Sequence, residues 1–107
     1  MELTEEKIAE LKQRHGKTLI SVECPGGETV VVRKPTKEEW ADFTDSIVRD
    51  KTSKHACMER YALQCIVFPE RGDAVKLLAE YPAFTASLAS EINKIAGAQD
   101  ELSVKKL

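Results

Sequence analysis

A short run near the middle of the chain, from Val30 to Trp40, constrains the fold more than any other part of the sequence. It opens with three consecutive valines, which favour a β-strand, and Pro35 then blocks further strand pairing because it has no N–H to donate. Thr36 and Glu39 have the Thr-x-x-Glu spacing of a capping box, which starts a helix. The run therefore joins a strand to a helix and places the only tryptophan of the chain at the start of that helix.

The residues before this run predict a second strand and a tight turn. Over residues 17–23, Thr18, Ile20 and Val22 alternate with the intervening side chains, a period of two that is typical of a strand. Pro25-Gly26-Gly27 follows, and glycines can adopt the positive φ that tight turns require. With a strand over residues 28–34, this predicts a β-hairpin. An isolated hairpin is marginal in water, so its apolar face must be covered by helices or extended by another chain's strand.

One helix is predicted before the hairpin and one after it. A short amphipathic helix covers residues 4–14 and ends at Gly16. The helix that begins at Thr36 ends at the polar break formed by residues 50–52. Its apolar residues recur at helical spacing, which predicts one core-facing stripe. That stripe consists of Trp40, Phe43, Ile47 and Val48.

Three further helices are predicted after this break. Ser53 can cap a central helix over Lys54 to Phe68, which Pro69 ends. Asp73 is the expected cap of a short helix. Pro82 suits the first turn of a last helix, for which Gly97 is the natural C-terminal cap. The apolar residues of this last helix, again at helical spacing, are Phe84, Leu88, Ile92 and Ile95.

Together these elements predict a single α+β domain over residues 1–97. An N-terminal helix and a two-stranded β-hairpin are followed by a small bundle of about four helices. The length of 107 residues allows one modest core and leaves no room for a separate catalytic domain. Residues 98–107 are polar with scattered apolar side chains, so we expect a flexible tail or a segment that orders only on a partner.

Charge and hydropathy argue against two classes of partner. The formal net charge is −2 and the two signs are interleaved, so we expect no basic face for nucleic acid. No apolar run approaches the roughly 20 residues of a membrane helix, and the first residues are acidic where a signal peptide is basic and then apolar. We therefore expect a cytoplasmic protein without a membrane partner.

The residues that could carry chemistry are scattered. His15, Cys24, His55, Cys57 and Cys65 lack the close, repeated spacing of a zinc site, and Cys57 and Cys65 are too far apart on one helix to form a disulfide. We expect reduced thiols, two of them buried in the core. The single glycine pair precedes a strand, so it does not form the usual phosphate-binding loop. The sequence predicts no metal, no cofactor and no catalytic residue.

Trp40 has two alternative interpretations. As the only tryptophan, just inside a helix that follows a strand, it either anchors the hairpin to the helices or stands exposed as a hot spot for a partner. Its spacing with Phe43 and Ile47 favours the core.

The order of these motifs is similar to that of a known family. The hairpin ends in Val-x-Val-x-x-Pro-Thr-x-x-Glu-Trp, the central helix closes in Cys-Ile-Val-Phe-Pro, and Leu77-Leu78 and Tyr81-Pro82 precede a last helix ending in Ala96-Gly97. Over roughly residues 21–97 the chain resembles the tail assembly chaperones of long-tailed bacteriophages and prophages.

This resemblance implies a small, non-catalytic protein of the host-cell cytoplasm that is absent from the finished virion. Its partners are then the tape measure protein, a long helical chain whose exposed apolar stripe needs cover, and the tail tube protein that assembles around it. By position, the predicted partner-facing residues lie on the last helix or at the hairpin edge. They are Phe84, Leu88, Ile92, Val30 and Val32.

Other interpretations remain open from the sequence. The first alternative is a different small cytoplasmic adaptor or regulator of the same α+β build, which would bind neither tape measure nor tube protein. A nucleic-acid-binding regulator would show steeply salt-dependent DNA binding, and a small thiol enzyme would have a cysteine with a depressed pKa. The free edges of the hairpin also allow a homo-oligomer.

Overall fold

The computed structural model describes residues 3–16, 18–49, 53–98 and 102–107. The first helix, α1, spans Glu5–His15. The Thr4 hydroxyl caps it by accepting a hydrogen bond from the Lys7 N–H at 3.1 Å, and Gly16 ends it with a φ of 89°. The prediction of a short N-terminal helix is confirmed.

The predicted hairpin is confirmed. Strand β1 covers Leu19–Glu23, β2 covers Thr29–Arg33, and the two are antiparallel with Val22 opposite Val30. In the turn between them Gly27 has a φ of 91°, which explains why glycine is suited to this position.

The sheet has a third strand that the sequence analysis missed. Residues Ile66–Phe68 form β3, which pairs antiparallel with β2 and gives the order β1-β2-β3. The helix predicted to run to Phe68 ends at Cys65 instead. The triplet Ile-Val-Phe favours extended backbone, and Pro69 disfavours the helical conformation of the residue before it. The hairpin is thus extended by a strand of its own chain.

Strand β2 is buried on both faces of this sheet. Val30 and Val32 pack into the main core with residues of the helical bundle, while Val31 packs on the opposite side with Leu11 of α1 and Phe68. A strand that is covered on both faces has a continuous apolar run, which explains the three consecutive valines. The sheet therefore separates α1 from the other four helices.

The next two helices, α2 over Lys37–Arg49 and α3 over Lys54–Cys65, begin at the predicted caps. Glu39 N–H donates to the Thr36 hydroxyl at 3.1 Å and Thr36 N–H donates to the Glu39 carboxylate at 2.8 Å, which is a complete capping box. The Ser53 hydroxyl accepts from Ala56 N–H. The predicted break at residues 50–52 lies outside the described residues.

The last two helices are α4 over Arg71–Glu80 and α5 over Phe84–Ile95. The prediction that Asp73 caps α4 was wrong, because the helix begins two residues earlier and Asp73 lies in its first turn, where a carboxylate is also favourable. Gly97, with a φ of 112°, ends α5 as predicted, and Ala98 N–H donates to Asn93 O at 2.9 Å.

The main core lies between the sheet and the helical bundle, with α3 in contact with α2, α4 and α5. Residues 99–101 of the predicted C-terminal tail lie outside the described residues, and residues 102–107 carry no helix or strand and are exposed. Across the described ranges, no helix is long and apolar enough to span a bilayer. The α+β class is confirmed, as is the predicted order of an N-terminal helix, a hairpin and then helices, with β3 as an additional strand between α3 and α4.

Candidate functional site

The five residues predicted to face a partner are core residues in the structure. Val30 and Val32 belong to the central strand, whose two edges are both paired, and Phe84, Leu88 and Ile92 form the buried side of α5. All five belong to the main core cluster. Their assignment to a partner-facing surface is corrected, because a partner cannot contact them while the fold is intact.

The three cysteines are free thiols and all are buried. Burial, together with the nearby Glu28 carboxylate, raises the pKa of the Cys24 thiol. Burial also raises the pKa of the Cys65 thiol to about 11. Because nucleophilic cysteines need a lowered pKa, these two thiols are suited to packing and unsuited to catalysis. Within the described ranges, no cluster of three or more His, Cys, Asp or Glu residues could hold a metal ion.

Trp40 lies at the boundary between core and surface. Phe43 and Tyr61 stack with a centroid separation of 4.1 Å and an interplanar angle of 7°, and Trp40 leans on this pair at centroid distances of 6.0 and 6.3 Å. Although supported from behind, Trp40 remains 36% exposed. The sequence analysis favoured a core position for Trp40. In the structure one face of its ring packs against Phe43 and Tyr61, while the other face is exposed and could contact a partner.

The exposed part of Trp40 belongs to a larger apolar strip. Since an α-helix turns by about 100° per residue, positions 40, 41, 44 and 48 all lie within an arc of about 100°. Val48 is 84% exposed and was wrongly assigned to the core, whereas its neighbour Ile47 does pack against the core. We define the α2 stripe as Trp40, Ala41, Thr44 and Val48.

Thr44 does not make the α2 stripe polar. Its hydroxyl hydrogen-bonds back to the carbonyl oxygens of Trp40, at 3.2 Å, and Ala41, at 3.1 Å. The hydroxyl donor is thus used within the helix, as is common for threonine in a helix. A partner that covers Thr44 does not have to supply a hydrogen-bond acceptor.

A partly buried ion pair fixes the start of α2. Arg33 at the end of β2 donates two hydrogen bonds of 2.8 Å to the Glu39 carboxylate, and it also donates to the Gln64 carbonyl near the end of α3 at 2.9 Å. The hydrogen bonds from Arg33 lower the pKa of Glu39 to about 2. Because Glu39 directly precedes Trp40, this bidentate pair ties the α2 stripe rigidly to the sheet and to α3.

Acidic residues border one side of the α2 stripe. Glu38 and Asp45 lie next to it around the helix, and both are exposed. Asp45 makes an exposed, loose ion pair of 3.9 Å with Arg49. The other side of the stripe turns into the core through Ile47 and Phe43.

Two open depressions lie elsewhere on the described surface. One, of about 680 Å³, lies between the hairpin turn and α4 and has Glu28, Asp73, Lys76 and Glu80 among its lining residues. The other, of about 510 Å³, lies between α2 and α3 and is lined by Asp42, Ser46, Arg49 and Arg60. Charged linings of this kind are well solvated, so the α2 stripe is the stronger candidate for a protein contact.

Comparison with known proteins supports the fold. A scan against protein families finds no match, and a search of curated proteins finds none either. Among solved structures the chain is similar to an uncharacterised protein, rbstp2171, from Bacillus stearothermophilus, with 23% sequence identity and a TM-score of 0.75. The match covers 92% of this chain and 99% of the other. This α+β arrangement therefore also occurs in a solved structure.

The sequence did contain a signal for the α2 stripe. Trp40, Thr44 and Val48 follow one another at intervals of four residues, which places them on one side of a helix. A second apolar series at Phe43 and Ile47 lies on the adjacent side. The sequence analysis assigned residues of both series to one core-facing stripe and therefore missed that the first series is exposed.

Proposed function

We propose that this protein is a tail assembly chaperone of a long-tailed bacteriophage or prophage. In this role it acts in the host-cell cytoplasm, binds the tape measure protein, assists the assembly of tail tube subunits around it, and is absent from the finished virion. It performs no catalysis. The order of motifs over residues 21–97 supports the family, and the observation that carries a binding role is the exposed, rigidly supported α2 stripe.

The α2 stripe has a shape suited to a helical client. From Trp40 to Val48 it extends about 12 Å along α2, or a little more than two helical turns. A long amphipathic helix exposes its own apolar stripe before assembly, and the two stripes can pack as in ordinary helix pairs. Trp40 is the natural anchor, because a preorganised aromatic residue contributes much contact area at little entropic cost.

The size and borders of the stripe also fit a temporary partner. Four side chains make a small contact, and small interfaces are weak and reversible. The acidic border at Glu38 and Asp45 favours client helices that carry lysine or arginine beside their apolar stripe. A chaperone must release its client when the tube forms, so modest affinity suits the proposed role.

Co-expression with the tape measure protein encoded downstream of this gene tests the proposal. We expect the soluble yield of the tape measure protein to rise several-fold, and the two proteins to co-purify. Ala41→Glu should abolish co-purification, because it places a charge within the stripe directly beside the Trp40 anchor. Ala79→Glu is the matched control, since Ala79 is also an exposed helical alanine but lies on α4.

Two outcomes would contradict the proposal. If the tape measure protein is equally soluble with and without this chain and nothing co-purifies, the chaperone role is wrong and the alternative of another small cytoplasmic adaptor replaces it. If the two proteins co-purify but Ala41→Glu and Ala79→Glu behave alike, the client binds a surface other than the α2 stripe.

A further inference from the structure

Strand β1 is an outer strand, and no other strand of the described ranges pairs with its second edge. It hydrogen-bonds to β2, and β2 is the element that packs most extensively against it among the described elements. The other outer strand, β3, differs in three ways: it has only three residues, its register with β2 is irregular, and α4 packs against it. Short length, irregularity and cover are the usual protections of an edge. Only β1 lacks them.

The backbone groups at this open edge can be identified from the register. Cys24 N–H donates to Glu28 O at 2.7 Å, so Cys24 directs its backbone groups toward β2. The direction of the backbone N–H and C=O groups alternates from residue to residue along an antiparallel strand, so those of Val22 and Ile20 also point toward β2. The backbone N–H and C=O groups of Leu19, Ser21 and Glu23 therefore point away from the sheet.

The side chains of β1 offer little resistance to pairing. The strand contains no lysine or proline, and its register with β2 is continuous from Leu19 to Glu23. Ile20 and Val22 are only partly buried against the main core. A strand added at this edge would cover their remaining exposed surface.

We propose that two copies of the protein pair through their β1 strands, antiparallel and centred on Ser21, so that each three-stranded sheet continues into the other. This is the one register in which all three outward-facing residues of β1 meet an outward-facing residue of the second β1. Ser21 then faces Ser21, and Leu19 of each copy faces Glu23 of the other. The two Glu23 carboxylates are kept apart, and Ile20 lies beside Val22 across the two-fold axis.

The pairing forms six intermolecular backbone hydrogen bonds, two for each of the three residue pairs. It is isologous, since the same strand serves both copies, and it closes without exposing a further β1 edge. A contact between two five-residue strands is small, so the dimer is weak and depends on concentration.

Ser21→Lys tests this pairing, because it places two like charges opposite each other at the two-fold axis. Ser21 is exposed, so the variant keeps the fold. Sedimentation velocity over a concentration series should show a reversible dimer for the wild type and a monomer for Ser21→Lys. Ser90→Lys, an equal charge change at an exposed serine of α5, should dimerise like the wild type.

A cross-link tests the register. Residues of a hydrogen-bonded antiparallel pair have Cα atoms about 5.5 Å apart, within the range of a disulfide. Ser21→Cys should therefore form a covalent dimer on mild oxidation, while Ser90→Cys should not. The proposal is overturned if the wild type stays monomeric at every concentration, if Ser21→Lys dimerises like the wild type, or if the two cysteine variants cross-link equally.

Discussion

Arg33 and Glu39 meet where β2 ends, α2 begins and α3 ends. Both side chains are largely withdrawn from solvent, with exposed fractions of 22% and 20%. A bidentate pair in such a setting holds its partners in one geometry, and its hydrogen bonds are stronger than those of an exposed ion pair. At the residue scale, this pair determines where Trp40 sits.

Replacing Glu39 by glutamine should lower the free energy of unfolding by about 1–3 kcal/mol at pH 7, because Arg33 keeps its charge but loses its anionic partner. Urea denaturation measures the change. Glu38→Gln is the control, since Glu38 is adjacent but exposed, and it should shift stability by less than about 0.5 kcal/mol.

The stability difference between the wild type and Glu39→Gln should depend on pH. The folded state holds the pKa of Glu39 at about 2, below the value near 4.3 of an unfolded chain. The folded state therefore binds fewer protons, and the stabilisation is complete above about pH 5 and lost as the pH falls toward 2. The difference between the wild type and Glu39→Gln should shrink over this range. A constant difference from pH 7 to pH 2 would refute this assignment.

At the element scale, α2 carries apolar residues on two adjacent sides with different roles. Phe43 and Ile47 pack into the core, while Val48 is exposed and Trp40 belongs to both sides. Most helices of globular proteins have a single apolar face, and the second, exposed one on α2 is the basis of the proposed client contact. The distinction can be tested on neighbouring residues of the same kind.

Ile47→Asp and Val48→Asp make this comparison. Ile47→Asp should destabilise the protein by about 2 kcal/mol or more, because it brings a carboxylate against the core. Val48→Asp should change the free energy of unfolding by less than about 0.5 kcal/mol, as expected at an exposed site. Urea unfolding of both variants decides the matter. Equal destabilisation would mean that Val48 is packed and that the α2 stripe does not exist as described.

At the scale of the whole molecule, α1 and the sheet enclose a small second core on the side away from the helical bundle. Its buried residues are Leu11, Val31 and Phe68. Leu11→Ala should therefore reduce the free energy of unfolding by about 2–3 kcal/mol, measured by thermal or urea unfolding. The control is Leu102→Ala, whose side chain is 75% exposed and should have no measurable effect. Similar results for the two leucines would mean that α1 is not stably packed.

The parts of the fold that depend on local signals could be predicted from the sequence. Thr36 and Ser53 cap helices as expected, and the glycines near Pro25 form the hairpin turn. Strand β3 could not be predicted, because Ile66–Phe68 becomes a strand only where β2 offers a free edge, and that edge is a tertiary feature. The residue before Pro69 was a local hint that helix α3 ends early.

The site was harder to predict than the fold for the same physical reason. Phe84, Leu88 and Ile92 have the pattern of any amphipathic helix, which shows that one side is apolar but not what covers it. In the structure α3 covers that side of α5, so these residues are core. The exposed stripe on α2 became visible only when Phe43 and Ile47 had been assigned to the core.

The position of β3 in the chain has a consequence for synthesis on the ribosome. Strand β2 ends at Arg33, but its second neighbour begins only at Ile66, after two helices have been made. At the usual rate of about 5–20 residues per second, several seconds pass between the synthesis of β2 and that of β3. During this time one edge of β2, a very apolar strand, has no native partner. Nascent chains on adjacent ribosomes are most exposed to mispairing during this interval, so slower translation between the two strands should reduce the yield of folded protein.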